Sequence, residues 1–91
     1  MIDKRLYEGR FTQSELTLKY LEICSKDTEE EDFETHHILP KSIFPEFVAA
    51  GWNLVKLSYA EHYLAHEILP KICLNERDEY KMLYAWNFIN G

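Results

Sequence analysis

Residues 34–41 read Glu34-Thr35-His36-His37-Ile38-Leu39-Pro40-Lys41, residues 53–58 read Asn53-Leu54-Val55-Lys56-Leu57-Ser58, and residues 61–66 read Glu61-His62-Tyr63-Leu64-Ala65-His66. Phe33 to Leu39 is short, partly apolar and stopped by Pro40. The residue before a proline avoids the helical region, so a strand is predicted there. Residues 53–57 alternate in polarity and give a second strand. The two form a hairpin across 41–52, a loop with Pro45, Gly51 and a single helical turn. Two strands are not stable alone, so the hairpin must pack on helices. Ser58 and Glu61 have capping-box spacing and open a helix running to about Leu69. Pro70 lacks a backbone donor and clashes with the carbonyl of His66, which ends or kinks that helix.

Outward from this centre, Thr12 and Glu15 have the form of another capping box. Leu16, Tyr20, Ile23 and Cys24 recur at helical spacing after it, which predicts a helix over 13–25. The acidic stretch 27–32 breaks that pattern. Asn75 suits the N-cap of a last helix over 76–89. Tyr80, Leu83, Tyr84, Trp86 and Phe88 give that helix a broad apolar face, assigned with Met82, Trp52 and Tyr63 to the core. The same face over 80–88 could serve a homodimer. The fold class is therefore α+β, a two-stranded hairpin and a helix flanked by N- and C-terminal helices.

The chain has 91 residues, 46 % apolar and 29 % charged, which fits one small domain and excludes a disordered tail. No apolar run approaches the roughly 20 residues a bilayer crossing needs, so no membrane partner is expected. Met1-Ile2-Asp3-Lys4-Arg5 leads into no apolar segment of secretory type, and a cytoplasmic location, in a bacterium or a phage-infected cell, is the expectation. A chain this short buries only about 60–65 % of its unfolded surface, so a metal, a partner or a dimer would help its core. Cys24 and Cys73 stand far apart in sequence and read as small buried apolar residues, not a disulfide.

The net charge is −6, from 10 basic and 16 acidic side chains. That argues against sequence-independent nucleic-acid binding, which needs a basic footprint. The acidity is uneven. Residues 1–34 carry most of it, chiefly in Glu29-Glu30-Glu31-Asp32 and Glu34, a run that reads as a solvated linker.

All four histidines fall in two tight pairs. His62 and His66, four apart, share one helix face, with Cβ atoms about 5–6 Å apart, and can converge on one divalent ion. A third imidazole from a packed strand would leave open positions, the arrangement of a catalytic metal site. Tyr63 follows His62 where the proteolytic zinc motif needs Glu, and no cysteine spacing suggests a zinc finger.

The order His36-His37, Asn53, His62-x-x-x-His66 resembles the HNH nucleases, the ββα-metal or His-Me finger family, and is most like the small phage-type HNH endonucleases. The resemblance covers residues 33–72 well and the C-terminal helix more loosely. It implies an N-terminal helix and acidic linker over 1–32 and an HNH domain with a C-terminal helix over 33–91, in one compact unit. It also implies that His37 is the general base, a task for which an imidazole titrating near neutrality is suited. His36, His62 and His66 match the metal ligands, and Asn53 matches the residue that ties the loop and orients the base. One divalent ion, Mg²⁺, Mn²⁺, Zn²⁺ or Ni²⁺, is implied. It would stabilise the leaving oxygen and the phosphorane-like transition state of DNA hydrolysis, giving 5′-phosphate and 3′-hydroxyl ends. Three imidazoles lean toward zinc or another late transition metal.

Lys41 and Lys56 lie close to the motif and read either as phosphate contacts or as ordinary surface lysines. Glu61 reads as the capping residue. Neighbouring strand residues point to opposite faces, so either the strand distorts near His36-His37 or the scissile phosphate lies between ion and base. Residues 1–32 offer no room for a DNA-reading module and are acidic. Weak non-specific nicking of DNA, or help from a protein partner, is therefore expected. Two alternatives stand beside the endonuclease. One is an acidic binding protein on the HNH scaffold, such as a phage inhibitor of a host nucleic-acid enzyme. The other is a domain that the metal merely staples together.

Overall fold

The computed structural model describes residues 2–90, Asn90 for its backbone alone. Strand β1 spans Glu34–His37 and strand β2 Leu54–Leu57. They pair antiparallel, Glu34 opposite Leu57 and His37 opposite Leu54. His36 lies opposite Val55, and both point inward with Leu57, while Leu54 and Lys56 face out. β1 is shorter than the predicted 33–39. Ile38 and Leu39 leave the ladder because Asn53 takes their amides, through its backbone oxygen at 2.8 Å and its side-chain Oδ1 at 2.7 Å. Asn53 itself closes a 3₁₀ turn over Gly51–Asn53, so β2 begins one residue after it.

Lys56 turns its backbone groups to the segment before β1. Its N–H donates to Asp27 Oδ1 at 3.1 Å and its carbonyl accepts from Thr28 at 2.8 Å. Asp27 adopts φ +43°, a left-handed conformation that Asp tolerates better than most residues. Glu29 to Asp32 follow as an exposed stretch without helix or strand.

Helix α1 spans Glu15–Cys24, and its N-cap is Ser14, whose Oγ accepts from the Thr17 amide at 3.3 Å. The expected Thr12 capping box does not form. Thr12 donates its backbone N–H to Ile72 O at 2.8 Å, beside an antiparallel bridge between Phe11 and Cys73, so it lies in extended chain too far from the helix start.

Helix α2 spans Tyr59–Ile72 and opens with both arms of the Ser58–Glu61 capping box. Pro70 lies inside it instead of ending it at Leu69. Ile68, Leu69, Pro70 and Ile72 are all buried, and the N-terminal segment takes up the last carbonyl. That packing outweighs the one backbone bond the proline forfeits.

Helix α3 spans Glu76–Asn90, with Asn75 Oδ1 accepting from the Asp78 amide at 2.8 Å. Asp78 is 1 % exposed and makes two bonds to Arg10, Nε to Oδ2 at 2.8 Å and Nη2 to Oδ1 at 3.0 Å. The Arg10 guanidinium in turn stands 5.4 Å from the Phe44 ring centroid. The assignment of the α3 aromatics to the core is corrected. Met82 is buried and Trp86 half-buried against Tyr63, but Tyr80, Leu83, Tyr84 and Phe88 are exposed, as are Trp52 and Tyr63. α3 packs on α2 by one edge, and no other element packs broadly on its outer face among the described residues.

The core is built from Phe11, Tyr20, Leu39, Phe44, Leu57, Leu69 and Ile72. Cys24 is buried and Cys73 half-buried, both as free thiols. Burial pushes each thiol up to about 12, so neither is a thiolate at neutral pH. Among the described residues no helix is long and apolar enough to cross a membrane.

Candidate metal centre

The hairpin places His36 on the inner face of β1, and α2 crosses it with His62 and His66 on the facing side. The three rings form a near-equilateral triangle, with centroids 5.1, 5.2 and 4.7 Å apart. One nitrogen from each ring lies within 4.8 Å of the other two. His62 Nε2 and His66 Nε2 are 3.1 Å apart. With metal–nitrogen bonds of about 2.0–2.1 Å, tetrahedral ligand atoms lie about 3.3 Å apart, so this pair already has the spacing of two ligands.

Hydrogen bonds outside the triangle set which nitrogens face into it. Tyr20, wholly buried on α1, donates its hydroxyl proton to Ile38 O at 2.6 Å. Burial raises the Tyr20 pKa well above its ordinary value, so that proton stays. The same oxygen lies 2.8 Å from His36 Nε2 and has only lone pairs left to offer. His36 must therefore carry its proton on Nε2, which leaves Nδ1 as a free lone pair. On the other side, Glu34 Oε1 accepts from His62 Nδ1 at 2.9 Å, which in the neutral ring leaves the lone pair on His62 Nε2. Partners of this kind fix the tautomer and orientation of metal-binding imidazoles.

Two of the rings are held neutral. Burial pushes His36 well below the usual imidazole pKa, and repulsion from His66, His62 and His37 adds to it. Burial, then His62, pushes His66 down to about 4, against a small opposing pull from Glu34. His66 Nδ1 is buried with no hydrogen-bond partner, alone of its kind among the described residues. With the His62 lone pair facing it, His66 Nε2 donates to His62 Nε2, so the His66 lone pair falls on the buried, partnerless Nδ1, which is costly for a purely structural cluster. A divalent cation shared by His36, His62 and His66 fits this set, with His66 moving its proton from Nε2 to Nδ1 to accept it, and borderline metals suit three imidazoles.

His37 leaves the strand on the opposite side. Its Nε2 donates to Val48 O at 3.2 Å, which leaves Nδ1 free to accept a proton. The loop holding Val48 is tied by Asn53, which is wholly buried. Asn53 Nδ2 donates to Leu39 O at 3.0 Å and to Phe47 O at 3.2 Å. Asn53 thus acts on His37 indirectly, by fixing the backbone that fixes the ring.

An open cleft of about 650 Å³ runs beside the cluster, lined by His36, His37, His62, His66, Lys41 and several α3 side chains. Lys56 stands elsewhere, its Nζ 5.2 Å from the Phe33 ring centroid. Sequence reasoning missed Tyr20, the link from Glu34 to His62, and Lys81, which lines the cleft and donates to Ser42 O at 2.8 Å. Tyr20 carried one usable signal: a tyrosine on the buried stripe of a helix needs a partner for its hydroxyl. No protein-family model matches the chain, and no curated protein or solved structure matches it.

Proposed function

We propose that the chain is a metal-dependent endonuclease of ββα-metal type, hydrolysing DNA phosphodiester bonds. The observation that carries this reading is the pairing of two arrangements at one cleft. Three imidazoles lie within reach of one cation, and a fourth, lining the same cleft, donates Nε2–H to a carbonyl on an anchored loop and keeps Nδ1 open.

His36 and His37 leave β1 on opposite sides at its last two residues, so the scissile phosphate would lie between them. His37 Nδ1 would take a proton from water as that water attacks phosphorus, and the Val48 carbonyl would stabilise the imidazolium formed. Asn53 keeps the Val48 segment in place through this step. Lys41, on the cleft wall, would contact a non-bridging phosphate oxygen. The ion, when bound, supplies positive charge for the leaving 3′ oxygen. The products would be a 5′-phosphate and a 3′-hydroxyl.

The test is nicking of supercoiled plasmid with Mg²⁺, Mn²⁺, Zn²⁺, Ni²⁺ or chelator, beside folded His37→Ala. Metal-dependent nicking with correct ends, lost in the variant, is the expected result. No cleavage of plasmid or of single-stranded DNA in any metal by folded protein overturns it. One observation favours a second reading, an acidic inhibitor on this scaffold: Glu29 to Asp32 are all exposed. An inhibitor would keep its activity in His37→Ala and lose it when that run is neutralised.

A further inference from the structure

The wall of the cleft opposite the histidines is aromatic. Tyr80 and Tyr84 line it from α3, and they are 69 % and 59 % exposed. Phe88, one further turn along, is 75 % exposed, with its ring centroid 5.4 Å from that of Tyr84. Spaced four apart, these three rings form a stripe along one side of α3 that starts inside the cleft and runs away from it. Contiguous exposed rings mark an interaction surface, and rings that start inside a cleft suit a ligand with flat apolar faces.

The charge of the molecule narrows that ligand. The cleft offers two lysines, Lys41 and Lys81, in a chain with net charge −6. A duplex presents phosphates on two strands and hides its base faces, and it gains little from two lysines. An unpaired strand carries half the charge density and exposes the faces that stack on tyrosine and phenylalanine. The helix advances about 6 Å over four residues, against a base rise of about 3.4 Å within a stacked strand. Bases set on successive rings must therefore part from one another, which an unpaired strand does at low cost.

We infer that the substrate is single-stranded or locally unpaired DNA, lying with its bases on the Tyr80–Tyr84–Phe88 stripe and one phosphate at the histidine cluster. This rests on the nuclease reading for the chemistry, though the stripe can be tested separately.

The experiment measures binding by fluorescence anisotropy of a labelled 12-nucleotide DNA strand and its duplex, using His37→Ala protein with Mn²⁺, and cleavage of both by the unaltered protein. The strand should bind and be cut in preference to the duplex. Tyr80→Ala and Tyr84→Ala should each weaken strand binding by about 5- to 100-fold. Tyr84→Phe, which keeps the ring, should restore it. Affinity should fall with salt at a logarithmic slope of about −1.4, from two lysines at about −0.7 each. Metal-dependent cleavage with equal preference for duplex, or alanine variants binding normally, overturns the inference and leaves the nuclease standing. Strand binding through the tyrosines without cleavage in any metal supports the stripe and overturns the nuclease.

Discussion

Replacing Tyr20 by Phe removes one oxygen from the centre of the molecule and leaves the ring packing almost unchanged. That oxygen serves two buried partners, Ile38 O at 2.6 Å and His36 Nε2 at 2.8 Å. Each left unpaired costs about 1–3 kcal/mol, so Tyr20→Phe should destabilise the metal-free protein by about 2–6 kcal/mol. A chain of this length is stable by only about 5–14 kcal/mol, so the loss is large but the fold should survive. The second consequence concerns metal. Without the phenol oxygen nothing holds the proton on His36 Nε2, and the ring can place it on Nδ1, the atom assigned to the ion. Loss of such an outer partner weakens metal binding by about 10- to 100-fold. Urea unfolding reads the first effect, and Zn²⁺ titration calorimetry on folded variant reads the second. A Tyr20→Phe protein that binds Zn²⁺ as tightly as the parent would refute the tautomer argument.

Three further outcomes are expected. Asp78→Asn should destabilise the fold by about 1–3 kcal/mol, because it strips the bidentate Arg10 partner while Arg10 keeps some access to water, and urea unfolding would show it. The metal-free protein should lose stability as pH falls from about 6.5 toward about 4, since His66 takes up its proton in the unfolded chain across that window before it can in the folded one. Thermal unfolding at a series of pH values checks that sign, and a midpoint that is flat or rises toward acid contradicts it. Asn53→Ala breaks two buried bonds and one part-buried bond and should cost about 2–5 kcal/mol in denaturant unfolding. If His37 is the base, turnover in the nicking assay should fall more than metal affinity, because Asn53 holds the loop that accepts from His37 and touches none of the three clustered histidines.

The sequence carried the site more legibly than its supports. Capping spacing at Ser58 and Glu61 set the phase of α2, and that phase alone put His62 and His66 on one face. Pro40 and the alternation over 53–57 marked the hairpin, though not where Asn53 would cut β1 short. Pro70 does not end α2, because the core around Ile68, Leu69 and Ile72 outweighs its local cost. Thr12 does not cap α1, because its backbone is drawn into a bond with Ile72 and Ser14 takes the cap instead. Polarity alone assigns the α3 aromatics to the core, yet burial needs an opposing surface, and α3 packs chiefly on α2. Arg10 and Asp78 meet across most of the chain, a distance at which no local pattern operates.

Diffraction from crystals grown with Zn²⁺, recorded at the zinc absorption edge, tests the three-histidine centre most directly. One anomalous peak is expected about 2.0–2.1 Å from His36 Nδ1, His62 Nε2 and His66 Nε2 together, with Tyr20 still bonded to His36 Nε2. No peak at the cluster, or an ion held by His36 Nε2 with Tyr20 displaced, would contradict the account.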